Sequence, residues 1–252
     1  MKYEKFVFYG DSFTYGQDSG GDDLYDETKT YPNFFGSILG KEIVNKGLPG
    51  LSNLGMLYKM IEYTHECHRN HEKGILQKTL NIVNLSSWLR GTVTSVNEKE
   101  SYYYPYSANM TLKNATPLKF GTFAPNFPDN KKTPHLNKSK HIYYEETEER
   151  IFWDQYMIML AMKDLSDRHN MGLIFVDVLF QKHKLEVYSG FDFDTINVPF
   201  IDFENEKGKT SLISIAPSYL ELSKSSHFYE DGYEWMANKV YKKMKKEVPE
   251  IF

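Results

Sequence analysis

A serine in the turn Gly10-Asp11-Ser12 follows directly on the apolar run Phe6-Val7-Phe8-Tyr9. Such a run reads as a buried strand, and a strand that stops in a Gly-Asp-Ser turn sets a hydroxyl at the carboxyl edge of a sheet. Ligands of open α/β sheets bind at that edge. A serine there becomes a nucleophile if a base takes its proton and N–H groups hold the oxyanion it creates. All three residue types also favour plain turns, so Ser12 needs company. A second cluster, His65-Glu66-Cys67-His68-Arg69-Asn70-His71, invites a metal reading. Zinc sites prefer tight i,i+4 pairs or CxxC spacing with a distant ligand. On a helix, His65 and His68 share a face while His71 drifts round. Cationic side chains suit a helix C-terminus, so this stretch reads as a helix end, and no metal or other cofactor is expected.

The elements that would position Ser12 alternate along the chain. Residues 3–9 read as a buried strand. The acidic, glycine-rich stretch 17–29 reads as a loop. A helix opens at Thr30-Tyr31-Pro32 and ends at Gly40, with Phe34, Phe35, Ile38 and Leu39 on its apolar face. A short strand, 42–45, leads into the glycine-rich turn 46–53. The next helix spans 53–69, with Leu54, Leu57, Tyr58 and Ile61 expected inside. Residues 80–85 read as a third strand. The stretch 95–145, with Tyr102-Tyr103-Tyr104-Pro105-Tyr106, is too long for a simple connection and reads as an insertion or cap. A helix over 147–169 is apolar from Ile151 to Met162, which predicts burial on most sides. The run Leu173–Leu179 suits a central parallel strand. Pro199 demotes 197–202 to an edge strand, and a last helix covers 230–246. This alternation predicts an α/β fold, a three-layer α/β/α sandwich around a mostly parallel sheet, as one domain over 1–252.

Composition narrows the function. The chain has 252 residues and a formal net charge of -4, so no electrostatic grip on nucleic acid is expected. Its single cysteine, Cys67, excludes an intramolecular disulfide. No stretch approaches 18 apolar residues, so no membrane span is expected. The first residues run at once into a strand rather than a signal peptide, which predicts a cytoplasmic protein. The composition is silent on oligomeric state.

Four segments fall at strand carboxyl ends or ahead of the last helix: Gly10-Asp11-Ser12-Phe13-Thr14-Tyr15-Gly16, Asn45-Lys46-Gly47-Leu48-Pro49-Gly50, Asn84-Leu85-Ser86-Ser87-Trp88-Leu89-Arg90, and Ser226-His227-Phe228-Tyr229-Glu230-Asp231-Gly232-Tyr233. Together they resemble the SGNH (GDSL-type) serine hydrolase family, whose fold is flavodoxin-like. The resemblance implies Ser12 as nucleophile, His227 as base, and the N–H groups of Ser12 and Gly50 as oxyanion donors. It covers most of the chain outside the insertion.

Two blocks depart from the family. The third usually carries an oxyanion asparagine, where this chain has Leu85-Ser86-Ser87-Trp88. Ser86 or Ser87 could offer a hydroxyl instead, and Arg90 could hold the loop. Asp11 is a supporting residue; Asn53 could enter the site, although capping a helix suits it better. In the fourth block the family has an aspartate three residues before its histidine, where this chain has Lys224. A lysine cannot accept the Nδ1 proton. Either a backbone carbonyl orients His227 or an acid arrives from elsewhere, with Asp192, Asp194 and Asp202 as candidates. The resemblance then implies a serine esterase acting on a small-molecule or carbohydrate ester, with O-acetyl groups on a carbohydrate as the first reading. A lysophospholipase or thioesterase is the enzymatic rival. The two lost residues also allow a degenerate, non-catalytic protein that binds a glycan or a protein.

Overall fold

Strand β1 (Lys5–Tyr9) sends alternate side chains to opposite faces of a sheet, and both faces are apolar. Phe6 and Phe8 enter one core; Val7 and Tyr9 enter the other. That two-sided burial is why the strand reads as a continuous apolar run. The structure, a computed structural model, describes residues 2–88, 90–96, 101–107, 118–119, 148–203 and 211–252.

After β1 come the single-turn helix α1 (Ser12–Tyr15), α2 (Tyr31–Leu39), β2 (Glu42–Asn45), α3 (Asn53–Arg69), α4 (Lys73–Leu76) and β3 (Thr79–Leu85). Strands β4 (Arg90–Val96), β5 (Ser101–Ser107) and β6 (Leu118–Lys119) form a separate antiparallel sheet. The chain continues through α5 (Glu148–Arg168), β7 (Gly172–Asp177), α6 (Lys182–Ser189), β8 (Phe200–Ile201) and α7 (Glu230–Glu247). The main sheet has five strands in the order β2-β1-β3-β7-β8, all parallel. The expected edge strand is β8, which begins just after Pro199.

Helices α2 and α7 cover one face, through Tyr31, Phe35, Met236, Val240 and Met244. There Phe8 meets Tyr31 and Phe35 edge-on at 5.4 and 5.3 Å between ring centroids. Each fully buried ring of this kind contributes on the order of 1.5–3 kcal/mol. Helices α3, α5 and α6 cover the other face. The chain leaves β1 toward β2 on one side and then crosses to β3 on the other. The carboxyl ends of β1 and β3 therefore flank the point where strand order reverses, which is where such sheets open a crevice.

Two details correct the sequence expectation. The buried stripe of α3 is Met56, Met60, Tyr63 and Cys67, with Leu54, Leu57, Tyr58 and Ile61 only half-buried. Both sets have helical spacing, and the methionine set carries the chain's cysteine inward. Helix α5 is buried on one side only: Phe152, Met159 and Met162 are inside, while Trp153, Met157 and Leu160 face solvent. The expected insertion at 95–145 lies largely outside the described residues, which there include β5, β6 and the end of β4. Among the described residues, no helix is long and apolar enough to cross a membrane.

Candidate active site

The Gly10-Asp11-Ser12 turn is held from three sides. Asp11 caps α1, its Oδ1 accepting from the Phe13 N–H at 3.1 Å. Its Oδ2 accepts from the Ser86 hydroxyl at 3.0 Å. The Ser86 N–H in turn donates to Asn53 Oδ1 at 2.9 Å, and Asn53 Nδ2 donates to Gln155 Oε1 at 2.7 Å. This buried polar chain ties the ends of β1 and β3 to α3 and α5. Every bond in it is to a partner away from water, which makes each member costly to remove.

The second loop closes from the β2 side. Asn45 Nδ2 donates to the Thr14 carbonyl at 2.9 Å, and its Oδ1 accepts from the Gly47 N–H at 2.9 Å. Gly47 then sits so close to α1 that a Cβ on it would lie 2.6 Å from the Tyr15 N and 2.9 Å from the Thr14 carbonyl carbon. Both are backbone atoms that cannot swing aside. Gly47→Ala is therefore expected to push the Ser12 turn out of register. Because misplacement near 1 Å can cost about 100-fold in rate, any reaction carried by Ser12 should slow by that order while circular dichroism stays native. Gly50 has φ +74°, a left-handed conformation that glycine adopts without strain. Among the described residues nothing accepts the N–H of Ser12 or of Gly50.

Ser12 Oγ lies 2.7 Å from His227 Nε2. Ser12 is 6% exposed. The Phe13 ring packs on the imidazole at 5.0 Å. Behind the imidazole, Nδ1 meets the Ser225 hydroxyl at 2.7 Å. Ser225 Oγ donates onward to Asp18 Oδ2, which also accepts from the Ser223 hydroxyl. Asp18 Oδ2 lies 3.9 Å from His227 Nδ1. The carboxylate is buried, and burial pushes its pKa up. The hydroxyls of Ser223 and Ser225, the nearby imidazole and the Asp23 N–H outweigh that and hold Asp18 below the usual carboxylate range.

The carboxylate behind His227 thus comes from the loop after α1, not from the residues flanking β8. Asp192 caps the turn ahead of Asp194, Asp194 pairs with Lys182, and Asp202 faces Lys243. None of the three is brought to the imidazole. Lys224, at the place where an aspartate was missed, holds Asp22 at 2.9 Å. Asp22 also accepts from the Tyr229 hydroxyl at 2.7 Å. The loop carrying Asp18 and the segment carrying His227 are therefore joined by two carboxylates. Sequence reasoning missed Asp18, Ser223, Ser225 and Gln155. The sequence offered only a weak signal, Asp18 a few residues after Ser12 and two serines alternating ahead of His227; the structure places Asp18 at φ +64°.

Asn53 is not the cap of α3, which is Ser52, accepting from the Gly55 N–H at 3.2 Å. Asn53 does not face Ser12 either, since its amide is spent on Ser86 and Gln155. Ser86 has its one hydroxyl proton on Asp11, and Ser87 is half-buried beside it. Arg90 is placed as the first residue of β4, opposite Ser107. Of the histidine cluster, His68 Nε2 meets His169 Nδ1 at 3.4 Å. Among the described residues no group of three metal-ligating side chains forms.

This fold is that of the SGNH (GDSL-type) hydrolases. Similar solved structures include TesA (9% identical, TM-score 0.52, covering 97% of this chain and 99% of that one). The psychrotrophic esterase EstA from Pseudoalteromonas sp. is 11% identical with TM-score 0.52, covering 98% and 99%. The acetyl xylan esterase Est2A from Butyrivibrio proteoclasticus is 12% identical with TM-score 0.50, covering 98% of this chain and 65% of that one. No family model matches the sequence, and no curated protein is similar to it in sequence.

Proposed function

We propose that this protein is a serine esterase that hydrolyses a small acyl ester through an acyl-enzyme, with O-acetyl groups on a carbohydrate as its substrate class. The observation that carries the reading is the line Ser12 Oγ, His227 Nε2, His227 Nδ1, Ser225 Oγ, Asp18. His227 takes the Ser12 proton as Oγ bonds to the ester carbonyl carbon. The carbonyl π electrons move to oxygen, and that oxyanion is held by the N–H groups of Ser12 and Gly50. Ser87 is the serine assigned to a third donor, because the Ser86 proton is committed to Asp11. His227 then protonates the departing alcohol, and water, activated by the same imidazole, releases the acid. EstA, of the same fold, is described as inhibited by monoethylphosphonate, and Est2A as an acetyl xylan esterase.

The binding-module alternative rested on the lost aspartate and asparagine. Asp18 behind Ser225 supplies an acid, which favours the enzyme reading. A fluorophosphonate probe tests it. One equivalent is expected to attach to Ser12, located by peptide mass. Absence of labelling in natively folded protein would overturn the assignment.

A further inference from the structure

Tyr15 stands three residues after Ser12 on the same helical turn, so the two side chains are neighbours, with Cβ atoms about 5–6 Å apart. Its ring is stacked on Tyr25 at 4.4 Å between centroids and 15° between planes. Tyr25 is 44% exposed, so the pair is partly open to solvent, and Tyr15 links it to the turn that carries Ser12. The chain does not bury this ring, although it buries Tyr9, Tyr31 and Tyr233 completely. The loop that carries Tyr25 holds five carboxylates between residues 17 and 29, Asp18, Asp22, Asp23, Asp26 and Glu27, against one lysine. Of these, Asp18 is buried and Asp22 pairs with Lys224; Asp23 and Glu27 are exposed, and Glu27 and Asp26 lie within electrostatic reach of the Tyr25 hydroxyl.

We propose that the Tyr15–Tyr25 stack is a platform for a neutral sugar ring, which it holds by the outer face of Tyr25 while the ester group enters the Ser12 site. The scission depends on the esterase reading above; the binding does not. A sugar presents flat C–H faces to an aromatic ring and hydroxyls to surrounding carboxylates, and this rim offers both. The same negative rim repels the phosphate of a lysophospholipid or of a nucleotide-linked thioester. An organic cation would also suit carboxylates and a ring face, although quaternary ammonium sites surround the charge with several rings as a cage. Two parallel rings show a single face.

The test compares O-acetylated xylotriose, p-nitrophenyl acetate and acetylcholine as substrates of the full chain, and measures xylotriose binding to the Ser12→Ala protein by tyrosine fluorescence. Tyr25→Ala is expected to lower the ratio of kcat/KM for the sugar ester over p-nitrophenyl acetate about tenfold, mainly through KM, and Tyr25→Phe to restore it. Xylotriose should bind the Ser12→Ala protein saturably and lose that binding when Tyr25→Ala is added. A ratio changed less than threefold, a preference for acetylcholine, or xylotriose binding that survives Tyr25→Ala would overturn the platform. Failure of p-nitrophenyl acetate hydrolysis together with absent fluorophosphonate labelling would instead overturn the esterase reading, and the binding measurement would still decide the platform.

Discussion

The Ser12→Ala protein is expected to hydrolyse p-nitrophenyl acetate at least about 10⁴-fold more slowly than the unaltered chain. The substitution removes one oxygen that touches His227 and leaves the supporting network of Asp11, Ser86, Asn53 and Gln155 intact. The melting temperature should therefore move by only a few degrees, as for a single lost hydrogen bond worth about 1 kcal/mol. His227→Ala should cost a similar factor. The double variant should be hardly slower than either single one, because nucleophile and base act as a unit. A Ser12→Ala protein that keeps more than a tenth of the rate, measured after removal of any contaminating hydrolase, would sink the nucleophile assignment.

Asp18→Asn carries the second large effect. As Ser12 gives up its proton, the imidazole becomes positive. The Asp18 carboxylate lies 3.9 Å from its Nδ1, with the Ser225 hydroxyl bridging them. At about 4 Å and an effective dielectric of about 20, opposite charges attract by about 4 kcal/mol. Neutralising the carboxylate while keeping its shape is therefore expected to lower kcat by up to about 10³-fold, with KM little changed. Fluorophosphonate labelling should slow in parallel. Stability gives an independent readout. Asp18 has a folded pKa below its unfolded one, so its contribution is present above the unfolded value of 3.8 and is lost as pH falls through the folded value. The unaltered protein should thus lose stability over that acid range more steeply than Asp18→Asn. Lys224→Ala removes only an exposed partner of Asp22 and should alter kcat less than threefold. If Lys224→Ala matched Asp18→Asn, the acid would have been misassigned.

The fold was legible because its signals are local. The two-sided burial of β1, β3 and β7 forces apolar runs, and Gly40 and Pro32 mark the limits of α2 where they stand. Where two stripes of equal spacing competed, as on α3, residue type could not choose between them; packing against β1 and α5 did. The Ser12–His227 pair was legible because each residue lies beside a distinctive glycine or helix start. The acid was not. Asp18 is one of five carboxylates in its loop, and only the tertiary approach of Ser223 and Ser225 singles it out. Lys224 misled for the same reason, since its partner Asp22 belongs to that loop too. Asn53 looked like a cap or a site residue because its role depends on Gln155, 102 residues away.

The two halves of the reactive centre are separated by 215 residues along the chain, and Asp18 by 205 from Ser223. Contacts of such long range form late in folding, once the sheet has brought distant segments together. A nascent chain carries the Ser12 turn through 215 further residues of synthesis before His227 can meet it. The proposed centre is then a clock for completion: a stoichiometric burst titrant is expected to count only molecules whose folding has finished, and its amplitude during refolding should trail the recovery of helical signal.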